Sequence, residues 1–147
     1  MVKQRTLALI KPHMFKNINS FGKAIVGAIV DIQSRYLALG MKIVAIKSFA
    51  ITEEFLREFY HEHVNKPFFE RDLVPAMEGG LCIAMVLEDE DAVQKVRAVN
   101  GATNPAEAFP GTIRHLYGIH EKGPNNAVHG SDSPESAERE IKIFNFI

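Results

Sequence analysis

Arg5-Thr6-Leu7-Ala8-Leu9-Ile10, followed by Lys11-Pro12, is the stretch from which the architecture follows. A short apolar run bounded by polar residues predicts a buried strand. Lys11-Pro12 ends it, because proline disfavours helix at the preceding residue and has no N–H for a ladder. Lys11 is thereby hung from a strand end. Beyond it, Phe21, Ile25, Ile29, Ile32, Tyr36 and Leu39 recur at helical spacing, so residues 20–39 predict one long amphipathic helix that Gly40 stops. Residues 41–51 set Ile43, Ala45 and Phe49 against Lys42 and Lys47 and read as a second strand. Thr52 as N-cap, with Glu53 and Glu54 in the first turn, then starts a helix carrying Phe55, Phe59 and Tyr60 to about residue 63.

A second short helix starts near Pro67, and residues 81–87 form a third strand. Residues 89–100 are helical, with Ala92, Val93, Val96 and Val99 on one side and Gly101 just past the end. Residues 102–112 have no periodicity, contain Asn104-Pro105 and Pro110-Gly111, and form a long loop of the kind that often carries function. Residues 113–119 predict a fourth strand, and residues 134–144 a last helix with Ser133 as N-cap, Pro134 at its first position and Glu135 in its first turn. The order β-α-β-α-α-β-α-β-α shows no repeat, linker or low-complexity segment. It predicts an α+β fold of the ferredoxin-like type, an antiparallel four-stranded sheet covered by helices. A chain of 147 residues with 46% hydrophobic content suits one domain over residues 1–147.

Charge excludes several partners. With 17 basic against 18 acidic residues there is no broad basic field to hold nucleic acid or an anionic membrane, so any anion needs a local cluster. The one cysteine, Cys82, lies in the apolar run Leu81-Cys82-Ile83-Ala84-Met85-Val86-Leu87 and reads as a small core residue. Leu7-Ala8-Leu9-Ile10 is too short for a signal-peptide core, and no run reaches transmembrane length, so a cytosolic protein is expected.

Chemistry concentrates in Asn125-Asn126-Ala127-Val128-His129-Gly130-Ser131-Asp132-Ser133-Pro134, where one histidine stands among small, turn-forming residues ahead of a helix. Imidazole titrates near neutrality and can offer an unprotonated nitrogen to an electrophile such as a phosphoryl group. Ser131 and Asp132 invite a Ser-His-Asp relay, but three members within four positions cannot easily bond in series, and Ser133 reads as a helix cap. His61 and His63, two apart on a helix, do not face one another, and with His13, His115 and His120 they read as structural or surface residues. Gly22-Lys23 lacks the upstream glycine of a phosphate-binding P-loop.

These segments together resemble the nucleoside diphosphate kinase family. The matching motifs are Arg5-Thr6-Leu7-Ala8-Leu9-Ile10-Lys11-Pro12; Phe59-Tyr60 with Lys66-Pro67-Phe68-Phe69; Gly101-Ala102-Thr103-Asn104-Pro105; Pro110-Gly111-Thr112-Ile113-Arg114; and Asn126 with His129-Gly130-Ser131-Asp132. The resemblance implies transfer of the terminal phosphate of a nucleoside triphosphate, typically ATP, to a nucleoside diphosphate by a ping-pong route through a phosphohistidine at His129. Glu140 is then expected to orient the imidazole, with Ser131 supporting that carboxylate. Lys11, Tyr60, Arg97, Thr103 and Arg114 are expected at the phosphates, Phe68 under the base, and Asn126 with Lys11 at the sugar hydroxyls. Mg²⁺ is the implied cofactor, held mainly by the nucleotide phosphates, and the implied assembly is a homo-oligomer, tetramer or hexamer, with no membrane or nucleic-acid partner.

The chain departs from the family pattern in places. Its first helix is longer, Glu70-Arg71-Asp72 adds one residue before Leu73, and Asn125 stands where an arginine is usual. An aspartate common after the arginine is missing from Arg114-His115, and residues 118–125 are extended. The final Ile143-Phe144-Asn145-Phe146-Ile147 leaves apolar side chains that suggest packing on a neighbour.

Overall fold

A computed structural model describes residues 3–15, 18–119 and 123–147, the side chains of 18–26 apart. The inward packing expected of Phe21 and Ile25, and the placement of His120, lie outside the described residues.

Strand β1 (Gln4–Ile10) is central. It pairs antiparallel with β3 (Leu81–Asp89) on one side and β4 (Val128–Gly130) on the other, and β2 (Lys42–Ala50) closes the order β2-β3-β1-β4. The apolar run of β1 is continuous because both its faces are covered. Ala8 and Ile10 pack with Ile32 and Tyr36 of α1 (Ile18–Ala38), Val96 of α4 (Ala92–Asn100) and Ile113 of α5 (Ile113–Tyr117). Leu7 and Leu9 turn the other way, onto Phe59 of α2 (Glu53–Phe59), Met77 of α3 (Val74–Met77) and Phe144 of α6 (Pro134–Phe144). The α+β, antiparallel four-stranded arrangement predicted by the element order is the one found.

Several caps act as the sequence predicts. Thr52 Oγ1 accepts from Phe55 N at 3.0 Å, Ser133 Oγ accepts from Ser136 N at 3.1 Å with Pro134 in the first turn, and Gly40 and Gly101 end their helices at φ 86°.

Residues 113–119 do not form the fourth strand. They hold α5, because Gly111 turns the chain at φ 92° and the Thr112 side chain caps the new helix by accepting from His115 N. The strand position beside β1 is taken instead by Val128–Gly130, inside the segment expected to be a loop. The helix begun at Thr52 also stops at Phe59, and a 3₁₀ turn, His61–His63, follows. On β2, Lys47 is two residues from Ala45 and from Phe49, so strand alternation puts it on their face and not opposite them, while a register shift between Ile43 and Ala45 turns Ile43 to the other side. The Lys47 stem lies along the core while Nζ donates to Phe144 O at 2.9 Å, 4.5 Å over the Phe144 ring.

Glu70-Arg71-Asp72, where the family resemblance implies one residue more than usual, lies in a widened turn. Residues 67–68 begin a helix that widens into a π turn, Phe69–Leu73, before α3. A π turn absorbs one residue while the flanking helical faces keep their direction, so Phe69 and Leu73 both stay buried.

Candidate active site

The short strand β4 sets His129 opposite Leu9, which turns the imidazole to the face that carries Phe59. Ser131 extends the pairing: its N–H donates to Leu7 O at 3.1 Å, and its Oγ accepts from Leu7 N at 3.2 Å. Helix α6 then brings Glu140, 4% exposed, back to the histidine. His129 Nε2 and Glu140 Oε1 are 2.6 Å apart, and Ser131 Oγ donates to the same oxygen at 3.0 Å. A carboxylate there accepts from Nε2–H, which fixes the proton on that nitrogen and leaves Nδ1 with its lone pair. The Phe59 ring meets the imidazole edge-on at 4.9 Å. Burial holds the His129 pKa below its ordinary value against the opposing pull of Glu140, so the ring is neutral at pH 7.

His129 opens into a cavity of about 240 Å³ whose wall includes Lys11, Tyr60, Arg97, Thr103, Arg114 and Asn126. Lys11 reaches it from the end of β1 and donates to Pro124 O at 3.1 Å. Burial, then the Arg114 charge, lower its pKa to about 7. Arg114 projects from α5 and is anchored through Nη1 to Gly101 O and Nη2 to Val128 O, both at 2.9 Å. Arg97 stands in the last turn of α4, and Thr103 follows Gly101; both are exposed. Asn126 Nδ2 donates to Thr103 O at 2.9 Å. Three buried polar atoms on this wall have no partner among the described residues: Tyr60 Oη, Arg114 Nε and Asn126 Oδ1. Buried polar groups are normally bonded, so the unpaired donors Tyr60 Oη and Arg114 Nε suit an anionic guest, and the acceptor Asn126 Oδ1 suits a hydroxyl on it.

An adjoining cavity of about 610 Å³ shares Lys11, Tyr60, Thr103 and Asn126 and adds Phe68, which is half-buried. The ten residues singled out from the sequence thus come together: Phe68 in the second cavity, Ser131 behind Glu140, and the rest on the first.

Other residues belong to this site without having been singled out. Arg139 donates to Glu58 O at 3.1 Å and Phe59 O at 3.0 Å, tying α6 to the end of α2, and its side chain lines the first cavity. His61 and His63, read as structural or surface residues, line it too, and His63 stands 5.4 Å from Phe68, ring to ring. Their place follows from the 3₁₀ turn after Tyr60, which the helical reading hid. His13 accepts from Ala127 N at 2.6 Å and so holds a residue at φ 71°, two positions before His129. No local signal marks that contact.

Among the described residues no group of three or more His, Cys, Asp or Glu is arranged to hold a metal ion. Glu140 is engaged by His129 and Ser131, and the rest of the wall sets the cations Lys11, Arg97, Arg114 and Arg139 against only two carboxylates, Glu62 and Asp132. That donor set fits a hard divalent cation arriving on phosphate oxygens.

Comparison with known proteins identifies the family. The family model for nucleoside diphosphate kinase matches residues 4–146. A nucleoside diphosphate kinase of Methanocaldococcus jannaschii is 42% identical over 143 residues, 97% of this chain and 94% of the relative. The crystal structure of the Aquifex aeolicus nucleoside diphosphate kinase superposes with a TM-score of 0.84 at 40% identity, covering 97% of this chain and 95% of that one. The Halobacterium salinarum nucleoside diphosphate kinase, solved in complex with CDP, gives 0.82 at 39% identity, covering 97% and 88%. The chain belongs to the nucleoside diphosphate kinase family, phosphotransferases that pass the terminal phosphate of a nucleoside triphosphate to a nucleoside diphosphate.

Proposed function

We propose that His129 carries the phosphate between the two nucleotides. The observation that carries this reading is the 2.6 Å contact between His129 Nε2 and Glu140, which frees Nδ1 beside Lys11, Arg97 and Arg114. In the first half-reaction the Nδ1 lone pair attacks the γ-phosphorus of a nucleoside triphosphate. The bond to the β,γ-bridging oxygen breaks, and a nucleoside diphosphate leaves with that electron pair. In the second, a terminal oxygen of another nucleoside diphosphate attacks the phosphohistidine, and Nδ1 recovers its pair. Glu140 balances the positive charge that develops on the ring, and Ser131 keeps the carboxylate in line. Lys11, Tyr60, Arg97, Thr103 and Arg114 hold the phosphates and neutralise the charge spread over them. Phe68 stacks the base, and Asn126 with Lys11 meets the sugar hydroxyls. Mg²⁺ bound with the nucleotide supplies further charge neutralisation at the phosphates, and the protein's part is to orient what the ion leaves open.

We place the enzyme in the cytosol, on the balanced charge and the single buried thiol of Cys82. We also read it as a homo-oligomer, tetramer or hexamer, which would cover Phe109 and Phe146, now 83% and 91% exposed. Mixing the protein with Mg·ATP alone should give one acid-labile phosphoryl group, mapped to His129, that GDP removes as GTP. A phosphorylated His129→Ala variant, or nucleotide binding without a phosphoenzyme, would overturn this reading.

A further inference from the structure

The cavity behind Phe68 has a polar mouth that stacking does not use. Arg71 and Asp72 line it three and four residues after Phe68, on the π turn Phe69–Leu73. Both side chains share the cavity wall with Phe68. The two side chains pair with each other: Arg71 Nε donates to both Asp72 oxygens at 3.1 and 3.0 Å, and Nη2 to Oδ2 at 2.8 Å. They are 70% and 42% exposed, so the pair is weak and can reopen at little cost. A guanidinium and a carboxylate are thus held side by side on the wall of the cavity that Phe68 lines.

The edges of the four bases differ in what they offer such a pair. Guanine presents O6 as an acceptor, then N1–H and the exocyclic amine as adjacent donors, which matches an arginine donor beside a carboxylate with two acceptor oxygens. Adenine and cytosine set a single amine beside a ring-nitrogen acceptor, which a carboxylate repels. Uracil has one N–H between two carbonyls. We infer that Arg71 and Asp72 form a base-edge reader at the mouth of the nucleoside cavity and give this enzyme a preference for guanine nucleotides. The inference rests on the proposed stacking of the base on Phe68; stacking admits every base, and the pair ranks them. The hydrogen bonds from the Arg71 guanidinium outweigh the opposing effect of burial and hold the Asp72 carboxyl below its ordinary range.

The test is acceptor selection by the phosphorylated enzyme, with GDP, IDP, ADP and CDP compared by kcat/KM. GDP should exceed ADP and CDP about fivefold, the scale of a charged but solvent-screened hydrogen-bonding pair. IDP, which lacks the exocyclic amine, should lose at least half of that advantage on a logarithmic scale. In Asp72→Asn, which presents one acceptor and one donor, the GDP-to-ADP ratio should fall below about twofold. Equal use of all four acceptors, or a GDP preference unchanged in Asp72→Asn, overturns the inference and leaves the phosphohistidine reading standing. Calorimetric titration of GDP and ADP into the unphosphorylated protein reads the same ratio independently of turnover. A preference there without any phosphoenzyme would sustain the base reader and sink the proposed catalytic cycle.

Discussion

The two halves of the site are finished to different degrees. On the nucleophile side, His129, Glu140 and Ser131 satisfy one another at 2.6 and 3.0 Å, and Ser131 is stitched to both backbone groups of Leu7. On the phosphate side, Tyr60 Oη, Arg114 Nε and Asn126 Oδ1 are buried without a partner among the described residues, and Arg97 and Thr103 stand exposed. The first half is organised by the protein and the second is completed by its ligand. Damage to the first should therefore appear as lost rate or stability in the free protein, and damage to the second as lost affinity.

The sharpest way to break that contrast is Glu140→Gln. It keeps the shape but removes the charge facing the imidazole, and kcat should fall about 10- to 100-fold, the worth of a hydrogen bond to a charged group, while KM for the triphosphate stays within about twofold. Ser131→Ala removes the bonds to Leu7 and Glu140 together. Thermal or denaturant unfolding of the free protein should show a loss of about 1–3 kcal/mol. Tyr60→Phe should do the reverse: the free protein keeps or gains stability, by about 1 kcal/mol at most, because an unpaired buried hydroxyl is removed, while KM for the triphosphate rises. Equal destabilisation by these last two variants would erase the distinction between the halves.

The smallest effect concerns protons. The unfolded chain holds the Lys11 proton up to its ordinary value of 10.5, and the folded protein releases it near 7. The unfolded state therefore binds more protons between those values, so Lys11 makes the free protein more stable as pH rises through that window. Phosphate beside Lys11 restores the charged form. Triphosphate binding near pH 8 should take up a fraction of a proton, measured as a dependence of the calorimetric enthalpy on the ionisation heat of the buffer. His129 adds the acid side: its lowered pKa keeps the nucleophile unprotonated, so the acid limb of kcat/KM should fall below the ordinary histidine value of 6.5.

Much of the architecture was legible because it rests on local chemistry. The unbroken apolar run of β1, the Thr52 and Ser133 caps, and the glycines at 40 and 101 each encode their conformation within a few residues. Residues 113–119 were misread because a short apolar segment has no period long enough to separate strand from helix. The Thr112 cap and the Gly111 turn decide it. The strand that holds His129 was missed for the same reason, being three residues long. Arg139 and His13 were invisible for another: their partners lie 80 and 114 positions away, and only the packing of α6 on α2, and of the turn after β1 on Ala127, brings them together. The cavity-lining residues could be grouped only through the family resemblance, and which of their atoms remain unpaired is a property of the folded wall alone.

Because strand side chains alternate, the pairing of Leu9 with His129 has a consequence for quality control during folding. A slip of one residue between β1 and β4 would carry the imidazole through the sheet, to the side of Tyr36 and Val96, with the rest of the chain still folded and the enzyme silent. Gly130 guards against it: a Cβ there would come within 2.8 Å of Val96 Cγ1, so only a hydrogen can face α4, and the correct alignment is the one that sets the glycine there. Catalytic competence in this fold is thus proofread by a residue that has no side chain.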